Sequence, residues 1–208
     1  MNRIYIVRLL KAIQDIMVEN KDYLIDLDSV VGDGDLGLTM SDGFVAAYKA
    51  VADSEEMDIG KLLYNAGKTM STAVPSTMGT LMASGLMQAG KVLKGRTELT
   101  DMDIADIFKA YLEGVANRGK AKVGEKTFLD GFDPAVTALK EALNKGDTLS
   151  VAATKAREAA ETGFKNTTNM MAIHGRAATR GEASRTLEDP GAAVAMLIMK
   201  AFENSTVE

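Results

Sequence analysis

Residues 58–70 read D-I-G-K-L-L-Y-N-A-G-K-T-M and carry the pattern that decides the fold class. Apolar residues recur there at three- and four-residue spacing, which predicts a helix with one buried face. Asp58 stands directly before this stripe, and aspartate is a favoured N-cap, so we expect the helix to begin there. The stripe consists of Ile59, Leu62, Leu63, Ala66 and Met70.

The same helical spacing continues along the chain on both sides of this stretch. In the first half of the chain, helices are also predicted at 4–17, around 44–51 and from about Met78 to Val92. A further helix follows Thr100, which forms a capping box with Asp103. The last three are predicted from Asp133-Pro134 to about Leu143, from Thr148 or Ser150 to about Phe164, and from Asp189-Pro190 to about Phe202. No run alternates with a period of two, as a half-buried strand would. The sequence therefore predicts an all-α fold, a bundle of about eight helices forming one domain over residues 1–208.

Composition excludes several classes of function. The 208 residues include no Cys, so disulfides, thiolate catalysis and zinc–thiolate sites are excluded. A net charge of -5 with interspersed acids and bases argues against nucleic-acid binding. The longest apolar run, 192–199, is too short to span a bilayer, and no signal peptide is apparent, so we expect a cytoplasmic protein without a membrane partner. The 13 Met residues are interpreted as core filler.

One stretch is acidic and rich in glycine. Residues 27–40 read L-D-S-V-V-G-D-G-D-L-G-L-T-M, which places Asp28, Asp33 and Asp35 close together. Crowded carboxylates repel one another, and a cation relieves that repulsion. Because these ligands would be oxygen atoms, the expected cation is magnesium or calcium. The alternative is that the stretch is a solvated loop that binds no metal. An EF-hand starting at Asp33 fails, because Phe44 stands where its bidentate glutamate belongs.

Four further glycine-bearing polar stretches fall between the predicted helices. They are 73–83, the basic 118–127, 174–184 and 189–192. Small and hydroxyl residues ahead of a helix leave backbone N–H groups free to hold an anion. Together with the acidic stretch, they predict a cradle for a nucleotide polyphosphate at one end of a helical barrel.

Several motifs together resemble a known family. D-S-V-V-G-D-G-D-L-G at 28–37, R-G-K-A-K-V-G-E-K-T at 118–127, G-R-A at 175–177, G-E at 181–182 and D-P-G-A at 189–192 occur in that family's order and spacing. The chain resembles the nucleotide-binding L subunit of bacterial, phosphotransferase-system-dependent dihydroxyacetone kinases. The resemblance covers essentially the whole chain and implies a barrel of eight antiparallel helices.

The resemblance also implies the ligands and the residues that bind them. Asp28, Asp33 and Asp35 would bind two Mg²⁺ ions that bridge the phosphates of ADP or ATP. Nucleotide contacts would come from Leu36, Gly37, Leu38, Thr39, Thr77, Met78, Gly79, Gly119, Phe128, Arg176, Asp189, Pro190 and Gly191. Phe128 is expected to help cover the adenine, and Arg176 to face phosphate. His174, the one histidine, is interpreted as a loop residue or nucleotide neighbour.

The activity implied is phosphoryl transfer by a subunit that has no catalytic residue beyond its metal ligands. Bound ADP would be recharged by a phosphohistidine protein of the phosphotransferase system, and the phosphoryl group would pass to dihydroxyacetone on a partner K subunit. An ATP-dependent subunit for another short ketose is an alternative. So is a nucleotide-loaded binding module that signals to a transcriptional regulator.

This sequence also differs from the family's pattern. Pro75-Ser76-Thr77-Met78-Gly79 replaces a phosphate loop that usually reads G-G-x-S-G. Leu36 stands where a His is common, and Ala183 where an Arg is usual. These differences leave the acceptor ketose and the phosphoryl donor open.

Overall fold

The computed structural model describes residues 1–207 and confirms the all-α prediction for them. The α-helices are α1 (Arg3–Glu19), α2 (Lys21–Val31), α3 (Leu36–Ala52), α4 (Ile59–Ala73), α5 (Thr77–Val92), α6 (Asp101–Gly119), α7 (Phe128–Asn144), α8 (Leu149–Asn166) and α9 (Pro190–Thr206). Two 3-10 helices, Thr167–Asn169 and Arg176–Ser184, lie between α8 and α9. The described chain has no named strand, and Asn2 and Glu98 form an isolated bridge.

The helices form a closed ring around one core. From α3 to α9 each helix packs against the next, α9 packs against α1, and α1 packs against α3. The short helix α2 lies beside α3. Buried apolar side chains from all of these helices form a single cluster. No helix within residues 1–207 is both long and apolar enough to cross a membrane.

Most predicted helix starts are confirmed by their capping hydrogen bonds. Asp58 accepts from the Lys61 amide at 3.1 Å, and Thr148 accepts from Val151 at 3.4 Å. Thr100 and Asp103 form the expected capping box. Each cap satisfies an amide that the first helical turn leaves without a partner.

Two local predictions were wrong. Residues 27–40 were treated as an acidic loop ahead of a helix around 44–51, but Asp28 lies in the last turn of α2 and α3 already begins at Leu36. The helix predicted from Asp133-Pro134 begins earlier, at Phe128, because Thr127 and Asp130 form a capping box there. Pro134 therefore lies inside α7, where it removes the hydrogen bond to the Asp130 carbonyl.

An aromatic cluster fills the core below one end of the ring. The Phe128 ring stacks on Phe132 with centroids 4.7 Å apart, and Phe108 lies 4.7 Å from Phe202. Tyr111 lies 5.4 Å from Phe132, and its hydroxyl donates to Met82 Sδ at 3.1 Å. Such contacts fix the position of α7, and so the position of its first residues at the ring's end.

Candidate functional site

A cleft of about 740 Å³ opens at one end of the ring. The beginnings of four helices line it, represented by Leu36 of α3, Thr77 of α5, Phe128 of α7 and Pro190 of α9. The start of a helix carries free N–H groups and a partial positive charge. Four such ends around one cleft favour an anionic ligand with several charged groups.

The three predicted acidic residues meet at the edge of this cleft. One carboxylate oxygen from each of Asp28, Asp33 and Asp35 lies within 4.8 Å of the others. That spacing is about twice the 2.0–2.6 Å bonds that magnesium and calcium make to oxygen. The donor set and spacing therefore fit a hard divalent cation, and we call these three residues the acid triad.

The local backbone explains why the triad is so compact. Asp28 lies in the last turn of α2, and Gly34, with a φ of +75°, turns the chain between Asp33 and Asp35. A Cβ on Gly32 would collide with the Asp28 carboxylate. Asp28 also accepts a hydrogen bond from the Leu36 amide at 3.3 Å, which connects the triad to the start of α3.

Asp28 is the triad residue whose ionised form is disfavoured by its surroundings. Partial burial raises the pKa of its carboxyl, and the neighbouring charges of Asp33 and Asp35 raise this pKa further, against hydrogen bonds from the Leu36 and Gly34 amides. Its place at the C-terminal, partly negative end of α2 is also unfavourable for a carboxylate. A bound cation would relieve both penalties.

Arg176 connects the opposite side of the cleft to the triad. Its Nη2 lies 2.6 Å from Asp33 Oδ2, and both side chains are substantially exposed. The residue begins the 3-10 helix Arg176–Ser184, next to Gly175, which has a φ of +65°. Arg176 was expected to face phosphate; in this structure it contacts a triad carboxylate.

His174 also lines the cleft and joins two of its loops. Its Nε2 lies 2.6 Å from Glu125 Oε2, and the Ile173 amide donates to the Glu125 carbonyl at 3.4 Å. The contact with His174 and a hydrogen bond from Lys122 lower the pKa of Glu125. These contacts hold the 118–127 loop against the segment that carries Arg176.

Lys126 is a buried lining residue of the 118–127 stretch, and no local sequence pattern singled it out. Its ammonium donates to the carbonyls of Thr167 at 2.7 Å, Leu187 at 2.5 Å and Arg185 at 3.4 Å. Burial lowers the pKa of this ammonium, and the nearby charge of Asp189 opposes that change. The contacts fasten the residues before α9 to those before α7, so Lys126 positions two of the four helix starts.

Asp189 caps α9 as predicted, and its environment is unusual. The carboxylate accepts from the Ala192 amide at 2.7 Å, while the Asp189 amide donates to Thr167 Oγ1 at 3.1 Å. Burial raises the pKa of Asp189 to about 7, although the hydrogen bonds and Lys126 oppose the rise. This side chain is built into the floor of the cleft.

The structure brings most of the predicted site residues to the cleft. Besides the acid triad, they are Leu36, Thr77, Met78, Gly119, Phe128, Arg176, Asp189, Pro190 and Gly191. The Phe128 ring is only 2% exposed, so it offers little surface to an adenine. Half-buried Met78, Leu81 and Ala121 supply accessible apolar lining instead.

Four predicted residues do not line the cleft. They are Gly37, Leu38, Thr39 and Gly79. Gly37 and Thr39 are buried within α3, and Leu38 is 46% exposed. The Gly79 amide donates to Ser76 Oγ at 3.0 Å as part of the cap of α5. Their nucleotide contacts remain predictions.

Comparison with known proteins identifies the family. The model of the DAK2 domain matches residues 30–204, which is most of the chain. The chain belongs to the DAK2 domain family. It is 33% identical to the ADP-binding subunit DhaL of the PEP-dependent dihydroxyacetone kinase of Escherichia coli K12, over 96% of this chain and 95% of that one.

Two other proteins that this chain resembles are informative. The L-erythrulose 1-kinase of Mycolicibacterium smegmatis is 34% identical over 95% of this chain, which spans 34% of that protein. The crystal structure of the C. freundii dihydroxyacetone kinase in complex with AMP-PNP and Mg²⁺ matches with a TM-score of 0.73 at 20% identity. The match covers 96% of this chain and 33% of that one, and it confirms the fold.

Proposed function

We propose that this DAK2 protein is the Mg²⁺- and ADP/ATP-binding subunit of a cytoplasmic dihydroxyacetone kinase. In this proposal ADP stays bound and receives a phosphoryl group from a phosphohistidine protein of the phosphotransferase system. The group then passes to dihydroxyacetone held by a partner K subunit. The resemblance to ADP-binding DhaL subunits along nearly the whole chain supports this assignment.

The observation that carries the proposal is the pairing of opposite charges in one cleft. Four partly positive helix starts surround the opening, and the acid triad stands at its edge. Helix starts bind phosphate oxygens, whereas carboxylates bind the cations that accompany a polyphosphate. A nucleoside diphosphate with divalent cations matches both halves of the site.

The chain's own residues would bind and orient rather than react. Asp28, Asp33 and Asp35 would hold two Mg²⁺ ions, which supply charge neutralisation at the transferring phosphoryl group. Backbone amides at the starts of α5 and α9 would hold phosphate oxygens, and Arg176 is within reach of the same region. Positioning and electrostatics account for most of the catalysis of phosphoryl transfer.

A second candidate substrate is favoured by one relative. The L-erythrulose 1-kinase matches this chain as closely in identity as the E. coli subunit does. Since we expect the acceptor pocket on another chain or domain, the cleft described above leaves dihydroxyacetone and other short ketoses open. Assaying both ketoses with the partner subunit present decides between them.

Replacement of Asp33 with Asn tests the proposal. We expect phosphoryl transfer in the reconstituted complex to fall by about a hundredfold or more, because a metal ligand is lost. Asp26→Asn is the matched control, since Asp26 is an exposed acid on α2 that lies outside the triad. Unchanged turnover in Asp33→Asn would favour a regulatory binding module.

Mass spectrometry of the denatured protein tests the role of the nucleotide. ADP that survives dialysis, and is released by a chelator, is the expected result for a bound coenzyme. Nucleotide that washes out and is replaced by free ATP would instead identify an ATP-dependent kinase. A protein that binds neither nucleotide would contradict the assignment.

A further inference from the structure

We propose that Arg176 makes the acid triad select a metal–nucleotide complex over a free divalent cation. This inference rests on the proposed function and adds a specificity role for one residue. Arg176 would hold Asp33 in the nucleotide-free protein and transfer to phosphate when the nucleotide binds. Free Mg²⁺ would then have to compete with a guanidinium, whereas Mg²⁺ arriving with ADP would not.

Arg176 and Asp33 are in direct contact. Arg176 Nη2 lies 2.6 Å from Asp33 Oδ2, a distance typical of a charge-assisted hydrogen bond. Asp33 contributes one of the three oxygens that converge within 4.8 Å. A positive side chain therefore already neutralises part of the triad where a cation would bind.

A guanidinium on Asp33 and a divalent ion on the same triad repel each other at short range. Because Arg176 and Asp33 keep 68% and 42% of their side chains exposed, water screens this repulsion and a swing of Arg176 costs little packing. The contact therefore opposes a divalent ion at the triad, yet the two exposed side chains can separate without loss of buried packing.

The segment that carries Arg176 is held on both sides of this residue. Ahead of it, Ile173 and His174 are held by Glu125. Behind it, the buried Ser184 Oγ accepts a hydrogen bond from the Ala172 amide at 2.9 Å. Gly175 and Gly181, with φ of +65° and +55°, stand between these fixed points, and a Cβ on either would meet nothing within 4 Å. The segment between them can turn without disturbing its anchors.

The destination of the side chain is on the same surface. Gly175, Arg176 and Ala177 line the cleft together with Thr77 of α5 and Gly191 of α9. A phosphate held at those helix starts would offer the guanidinium two oxygens in a fork geometry. Arg176 would then strengthen the binding of the nucleotide, whereas in the nucleotide-free protein it weakens the binding of free Mg²⁺.

Calorimetric titration of Arg176→Gln tests the inference, with Mg²⁺ alone and then with ADP in saturating Mg²⁺. We expect Mg²⁺ to bind about tenfold more tightly to nucleotide-free Arg176→Gln than to wild type, the effect expected from removing a unit charge about 5 Å from a divalent ion in water. ADP should bind about tenfold more weakly. The two changes must have opposite signs.

Arg180→Gln is the matched control, because it removes the same charge from the same 3-10 helix. In the described structure Arg180 forms no ion pair with the triad, so both affinities should stay within about twofold of wild type. Unchanged or weaker Mg²⁺ binding in Arg176→Gln would overturn the inference. Wild-type protein that binds no ADP would instead overturn the proposed function, so the two failures are distinguishable.

Discussion

At the scale of single residues, the floor of the cleft depends on two buried ionisable side chains. Lys126 is 2% exposed and Asp189 is 8% exposed, and both hold loop backbone in place. A buried charge is costly unless its hydrogen-bonding capacity is satisfied. Lys126 meets this cost with three carbonyl acceptors, whereas Asp189 meets it in part by holding a proton.

Asp189 should make stability depend on pH in a direction opposite to that of an ordinary acid. Its carboxyl has a pKa of about 7 in the folded protein and an ordinary value of 3.8. The folded state therefore binds the proton more tightly, and this contribution to stability is lost as pH rises from about 4 to about 7.

Urea unfolding of Asp189→Asn measures this contribution, because asparagine retains the N-cap without ionising. At pH 7.5 we expect the variant to be more stable than wild type by on the order of 4 kcal/mol, with the difference vanishing near pH 4. Asp58→Asn is a control for which the pH dependence of stability should have the opposite sign. Burial opposes ionisation of Asp58, but hydrogen bonds from the Gly95, Lys61 and Gly60 amides lower its pKa on balance. Equal pH profiles for Asp189→Asn and wild type would contradict the burial argument.

At the scale of helices, glycines let α4 and α5 pack with their backbones in close approach. A Cβ on Gly90 would lie 2.6 Å from the Gly60 carbonyl oxygen and 2.6 Å from the Tyr64 amide nitrogen. A Cβ on Gly60 would lie 2.5 Å from the Gly90 carbonyl oxygen. These backbone atoms cannot move without separating the helices, so the crossing accepts no side chain.

Gly90→Ala should therefore destabilise the fold despite alanine's better helix propensity. Overpacking of this kind typically costs about 1–3 kcal/mol, which exceeds the gain of about 0.5–1 kcal/mol from propensity. Thermal melting should show a midpoint lower by several degrees. Gly43→Ala is the matched control, because its Cβ would chiefly meet the end of the flexible Met70 side chain, and a Val74 methyl, rather than backbone. A Gly90→Ala midpoint at or above wild type would show that the crossing can relax.

At the scale of the whole molecule, the ring has one open and one closed end. The open end holds the cleft at the starts of α3, α5, α7 and α9. Near the other end, the Leu99 amide donates to the Met1 carbonyl at 2.7 Å, and Asn2 bridges Glu98. A ligand in the cleft would join four helices that are otherwise connected through the side walls of the ring.

Hydrogen exchange with ADP and Mg²⁺ tests this arrangement. We expect slower exchange of backbone amides at the starts of α3, α5, α7 and α9, because a bound ligand suppresses local opening. Amides near residues 93–101 should exchange at unchanged rates and serve as the internal control. Protection spread evenly over the ring would indicate global stabilisation, and protection confined to another region would place the ligand elsewhere.

Features that depend on local spacing could be predicted from the sequence. Helical periodicity and caps such as Asp58, Thr100 and Asp189 placed most helices, since both signals span a few residues. Asp28, Asp33 and Asp35 could be grouped because a short, glycine-bearing turn leaves them little room to separate. The start of α7 was predicted wrongly because the Thr127–Asp130 capping box begins the helix six residues before Asp133, the cap that the Asp133-Pro134 pair predicted.

Contacts between distant parts of the chain could not be predicted from the sequence. Lys126 finds its acceptors 41, 59 and 61 residues away, and no local pattern signals such a contact. Burial of Gly37 and Thr39, the inward turn of the Phe128 ring and the contact of Arg176 with Asp33 also arise only when the ring closes. Periodicity says that a residue lies on a helix, but the packing of the neighbouring helices decides what that residue meets.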